Sequence, residues 1–138
     1  MNVNAPGKGI LKIVSIMYII FGSIFALLMV LSLFLGSVLA SWAGSLFGAF
    51  SALVGGTLFV IFLIPAAVDL IVGIIGIKNA DIPSKAQFFI VTGIILTALT
   101  LILLMFSFTI WGVIMFAMPV LYIVGGYMNK NAAKPDKL

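Results

Sequence analysis

The sequence predicts an all-α integral membrane protein, a bundle of four transmembrane helices, and three observations carry that prediction. Charge is absent where a soluble domain would need it. Between Ile13 and Ile77 the only charged side chain is Asp69, and between Ala86 and Asn129 there is none. The chain is 64% hydrophobic and 7% charged over 138 residues, a composition suited to a solvent of acyl chains and a length that leaves no room for an added soluble module. Its seven lysines fall in three clusters, Lys8 with Lys12, Lys78 with Lys85, and Lys130 with Lys134 and Lys137. All three lie on one side of a membrane if the chain crosses it four times.

The first span is expected at about 9–33. Its apolar run from Ile13 to Leu35 is 23 residues long, beyond the 7–15 of a signal-peptide core, so it reads as a retained span and not as a cleaved leader. The second span is expected at about 55–78, the third at about 85–107 and the fourth at about 109–129. The turn Asn79-Ala80-Asp81-Ile82-Pro83-Ser84 punctuates the middle. Residues 34–54 are uncharged and too many for a tight hairpin, while a further crossing there would set Lys8 and Lys12 opposite every other lysine. A short outer-side interfacial or re-entrant helix is therefore expected between the first two spans. This layout makes 1–138 a single transmembrane domain in the cell membrane, with both termini and the tail 130–138 in the cytoplasm. Trp42 and Trp111 anchor the outer interface and Tyr127 the inner one.

An internal likeness agrees with four crossings. Pro6-Gly7-Lys8-Gly9 through Ile13-Val14-Ser15 matches Pro83-Ser84-Lys85-Ala86 through Ile90-Val91-Thr92 at a constant offset of 77. Ile71-Val72-Gly73 and Lys78-Asn79-Ala80 match Ile123-Val124-Gly125 and Lys130-Asn131-Ala132 at a constant offset of 52. Each half then reads as one hairpin, a 2+2 repeat about an axis along the membrane normal, with the extra residues of the first half falling in 34–54.

Chemistry is thinly represented. The chain holds no His, Cys, Arg or Glu, which removes the usual metal ligands, thiol nucleophiles and neutral-pH general bases and predicts neither catalysis nor a cofactor. Lysines beside apolar spans point to anionic lipid and not to nucleic acid. Asp69 is the one ionisable residue inside a span, nine residues from Lys78 and so about 13 Å inward along a helix. A carboxylate at that depth costs about 2.5–3.5 kcal/mol on insertion scales, so it should face protein or water. Tyr18, Thr92 and Tyr122 reach similar depths and predict a carboxyl–hydroxyl cluster with it. Structural bonding between helices, a proton- or cation-linked site and a water-filled vestibule are the three readings of that cluster.

Ala40, Gly44, Gly48, Ala52 and Gly56 recur every four residues, with Ser37, Ser41 and Ser45 in a parallel row. On a helix they form one small-residue packing face, suited to packing within the bundle, to self-association or to lining a polar path. Pro65 and Pro119 release the carbonyls of Ile61 and Met115 and predict kinks in the second and fourth spans. Gly73-x-x-Gly76 and Gly125-Gly126 lie in apolar helices without the Lys-Ser/Thr of a phosphate loop, so close helix packing explains them.

The second half, from Gly73-Ile74-Ile75-Gly76-Ile77 through Lys85-Ala86 and Gly93-Ile94-Ile95 to Pro119-Val120-Leu121-Tyr122-Ile123-Val124-Gly125-Gly126, resembles small four-span bacterial membrane proteins of uncharacterised function. The resemblance implies the four-span layout and no activity or ligand. Two functional expectations follow from the residues themselves. One is a non-enzymatic protein acting through helix–helix association, with copies of itself or with another membrane protein. The other is a small transporter or channel subunit working through Asp69.

Overall fold

The computed structural model describes residues 5–42, 44–106 and 108–133. Among them the chain is helical, with no strand, and runs α1 (Lys8–Trp42), α2 (Gly44–Asn79), a short 3-10 turn (Pro83–Lys85), α3 (Ala86–Phe106) and α4 (Ile110–Ala132). Four helices are long and apolar enough to cross a membrane. The protein is thus a multi-pass membrane protein. The tail beyond 133, with Lys134 and Lys137, lies outside the described residues.

The segment 34–54 differs from expectation. Among the described residues no separate short helix lies between the first two spans; α1 continues to Trp42 and α2 begins at Gly44. The expectation assigned about 20 residues to each crossing and treated the surplus as its own element. No proline interrupts the run on either side of Gly44, so each of the two helices continues up to that turn. The chain reverses at Gly44, whose φ of 74° is the left-handed conformation that a glycine adopts without a Cβ penalty. Pro65 and Pro119 both sit inside continuous helices, at positions where each removes one backbone donor.

The chain separates into two compact units. The first holds residues 5–16 and 72–133. Its core is built by the start of α1, the end of α2, and α3 against α4. Ala86, Phe89, Ile90 and Gly93 form the buried stripe of α3, and Met118, Pro119, Tyr122, Gly125, Gly126 and Asn129 that of α4; both follow the three- and four-residue spacing of one helix face. Glycines set the separation. A Cβ on Gly93 would stand 2.8 Å from the Pro119 carbonyl oxygen, and one on Gly126 would stand 3.1 Å from that of Ala86. Thr109 starts α4, accepting a hydrogen bond from the Gly112 amide at 3.2 Å in the manner of an N-cap. Pro83 opens the turn before α3 from an extended Ile82.

The second unit holds residues 17–71, the remainder of α1 and α2. The two helices run antiparallel, and close approaches recur along them. A Cβ on Gly22 would meet the Leu70 amide nitrogen at 2.9 Å, one on Gly55 would meet the Ser32 carbonyl oxygen at 2.9 Å and the Gly36 Cα at 3.0 Å, and one on Gly48 would meet the Ala40 carbonyl oxygen at 2.8 Å. Phe25 and Phe62 stack between the first two of these points, with ring centroids 6.2 Å apart.

Candidate functional site

Three polar ties lie at the lysine-bearing end of the first unit. Asn129 is fully buried. Its side-chain oxygen accepts from the Gly7 amide at 2.8 Å and its amide donates to the Ala80 carbonyl at 3.1 Å, so one residue of α4 holds both the entry to α1 and the exit from α2. Gly7 must be glycine here, since a Cβ would collide with the Gly125 carbonyl oxygen. Nearer the water, Asp81 bridges Lys8 at 3.0 Å and Lys12 at 3.1 Å. The hydrogen bond from Lys8, then that from Lys12, holds the exposed Asp81 carboxyl below its ordinary 3.8.

The third tie lies deeper. The Tyr122 hydroxyl donates to the Val72 carbonyl at 3.2 Å and is 2.6 Å from the Ser15 hydroxyl, which is then the donor in that pair. Gly76 makes room for both oxygens, because a Cβ there would collide with the Tyr122 and Ser15 hydroxyls. Phe89 packs edge-on against the Tyr122 ring, centroids 5.2 Å apart. These bonds meet polar groups that lipid cannot satisfy, so the arrangement binds helices together.

The four residues expected to share a site fall in different units. Tyr18 and Asp69 belong to the second, Thr92 and Tyr122 to the first. Thr92 is half-buried on α3. Asp69 lies on the α1-facing side of α2, its Cβ 3.2 Å from where a Gly22 Cβ would be. It takes part in neither of the two ion pairs among the described residues, both of which belong to Asp81. No group of three His, Cys, Asp or Glu side chains is gathered among the described residues.

The small-residue ladder is divided by the structure. Gly48 packs on Ala40, Gly44 is the reversal, and Ala52 is exposed, while a Cβ on Gly56 would meet nothing within 4 Å. The face that closes the hairpin runs instead through Gly48, Ser51 and Gly55 against Ala40, Gly36 and Ser32. Sequence reading missed Ser15, Gly55 and Asn129, while Gly76, expected to serve close helix packing, makes room for the Tyr122 and Ser15 hydroxyls. The signal for Ser15 was present, since the repeat pairs it with Thr92; Asn129 beside Lys130 looks like an ordinary helix end.

Comparison with family models, curated proteins and solved structures finds no match for this chain. The class that the fold defines is a multi-pass α-helical membrane protein.

Proposed function

We propose that this protein is a non-enzymatic component of the cell membrane that works by helix–helix association, as an accessory subunit, a self-assembling bundle or an immunity-type protector. The observation that carries the reading is the outer part of α1 and α2. It is uncharged, and its large apolar side chains, Trp42, Leu46, Phe47 and Phe50 among them, are exposed. The lack of His, Cys, Arg and Glu supports a role without catalysis. We read the four helices as one bundle with both termini in the cytoplasm, because every lysine then lies on the positive-inside side. The 2+2 repeat is supported by the helix limits to within one residue: Pro6 and Pro83 precede the starts of α1 and α3, and Asn79, paired by the repeat with Asn131, ends α2, whereas α4 ends at Ala132. The test is isolation of tagged protein from its native membrane in mild detergent, followed by native mass and protein identification. The reading expects a stoichiometric membrane-protein companion, a second copy or another chain; a lone chain at every concentration counts against it.

A second reading, a small transporter or channel subunit with a proton- or cation-linked site at Asp69, is favoured by one observation. That carboxyl sits on an interhelical face opposite a glycine, without an ion-pair partner among the described residues, and an intramembrane acid is costly enough to mark a candidate functional site. In liposome flux assays Asp69→Asn should abolish or uncouple transport. Ordinary flux in the variant removes Asp69 from any mechanism.

A further inference from the structure

Hydroxyls on the long helices commonly bond back to a carbonyl one turn earlier, as Ser23, Thr57 and Thr100 do at 2.7, 2.8 and 2.8 Å. Thr97 on α3 does not. Its Oγ1 is buried by the protein itself and has no hydrogen-bond partner among the described residues, while its own carbonyl accepts from Thr100 at 3.1 Å. A buried hydroxyl without an acceptor is disfavoured, so the group opposite it matters.

What Thr97 faces follows from the crossing one turn away. A Cβ on Gly93 would stand 2.8 Å from the Pro119 carbonyl oxygen. α3 and α4 run antiparallel, since Gly126 meets Ala86 at one end and Gly112 meets Leu104 at the other. Thr97 is four residues on from Gly93 and Met115 four back from Pro119, so the two steps, each about 6 Å, run the same way along the contact. They set the Thr97 side chain opposite the Met115 carbonyl, as Gly93 is set opposite that of Pro119. The Met115 carbonyl is also the one that Pro119 frees, because proline has no N–H to donate to it. A buried hydroxyl without an acceptor and a helix carbonyl without its usual donor thus share one level of the α3–α4 contact. That level also divides the two helices. Gly93 is the last buried residue of α3 and Met118 the first of α4; from there to Phe106 and back to Ile110 no described residue is buried. Glycine on one helix, facing a proline that has lost its helix bond on the other, makes this crossing a pivot.

We infer that the outer arms of α3 and α4 move about the Gly93–Pro119 crossing, and that Thr97 latches them closed by donating a hydrogen bond to the Met115 carbonyl. The arrangement in the structure is the unlatched one. The latch stands whether the protein works by association or by transport, so its failure leaves both readings as they were. The chain has no cysteine, which lets Leu103→Cys and Val113→Cys, at exposed positions on the two arms, carry a pair of nitroxides in the full chain in lipid nanodiscs. Pulsed electron paramagnetic resonance then reads the distance between the arms. The inference expects a shorter and a longer population. Thr97→Ser, which keeps the hydroxyl, should preserve the shorter one, and Thr97→Val, which keeps the shape without the hydroxyl, should lower the ratio of shorter to longer about threefold, the worth of an average interhelical hydrogen bond in a membrane. Pro119→Ala gives the Met115 carbonyl its own helical donor and should abolish the effect of Thr97→Val. One unchanged distance distribution across Thr97→Ser, Thr97→Val and the parent overturns the inference without recourse to the proline variant. A shift on Thr97→Val that persists in full beside Pro119→Ala assigns the effect to packing and overturns it as well.

Discussion

Replacing Asn129 tests the tie that holds the lysine end together. The side chain is fully buried and bonds two backbone groups far apart in sequence, the Gly7 amide at 2.8 Å and the Ala80 carbonyl at 3.1 Å. Asn129→Ala leaves both without a partner. An unsatisfied buried backbone group costs about 1–3 kcal/mol, so the pair amounts to about 2–5 kcal/mol when incoming water relieves part of it. Asn129→Leu fills the volume but bonds neither group, and should lose nearly as much. That comparison separates the hydrogen bonds from the cavity. The assay is unfolding in mixed micelles by titration with a denaturing detergent, joined to amide exchange of the peptide containing Gly7. We expect the midpoint to fall and exchange at Gly7 to accelerate in both variants. A loss below about 0.5 kcal/mol, the range of an ordinary surface substitution, with unchanged exchange, would refute the reasoning.

Other outcomes follow from the same geometry. Gly76→Ala should destabilise by about 1–3 kcal/mol through overpacking, and adding Tyr122→Phe with Ser15→Ala, which removes both obstructing oxygens, should return part of that loss in the same assay. Two adjacent glycines should behave oppositely. Gly55→Leu drives a side chain into the Ser32 carbonyl and the Gly36 backbone and should open the hairpin, whereas Gly56→Leu should leave unfolding within about 0.5 kcal/mol of the parent. Asp81→Asn removes the bridges to Lys8 and Lys12, a small loss at an exposed site that added salt should diminish. Because the folded state holds the Asp81 carboxyl below 3.8, its contribution is present above that pH and disappears as pH falls through the folded-state value. Melting curves of parent and Asp81→Asn should therefore differ at pH 7 and converge in strong acid; a constant gap would assign the difference to something else.

Membrane class and helix count were legible because they rest on two coarse quantities, the length of apolar runs and the side on which lysines fall. α3 (Ala86–Phe106) and α4 (Ile110–Ala132) match their expected spans closely, since Pro83 and Thr109 mark helix starts with local backbone chemistry. The ends of α1 and α2 near Gly44 were not legible. A hydropathy run says how much chain avoids water, and dividing it into crossings of about 20 residues fails where the helices run 35 and 36 residues. The packing face was misjudged for a related reason. Ala40 lies on α1 and the rest of the ladder on α2, where a strict four-residue repeat drifts around a helix of 3.6 residues per turn, so Ala52 and Gly56 leave the contact line that Gly48, Ser51 and Gly55 keep against α1. The bonds of Asn129 and Ser15 depend on residues roughly 50 to 120 positions away, and no local pattern encodes a partner at that distance.

The central claim is that this membrane protein acts by association. Native mass analysis of the full chain, taken with its surrounding lipid directly from its native membrane, tests it most directly. The account predicts a stoichiometric membrane-protein companion, a second copy or another chain. One unaccompanied chain at every concentration would contradict it.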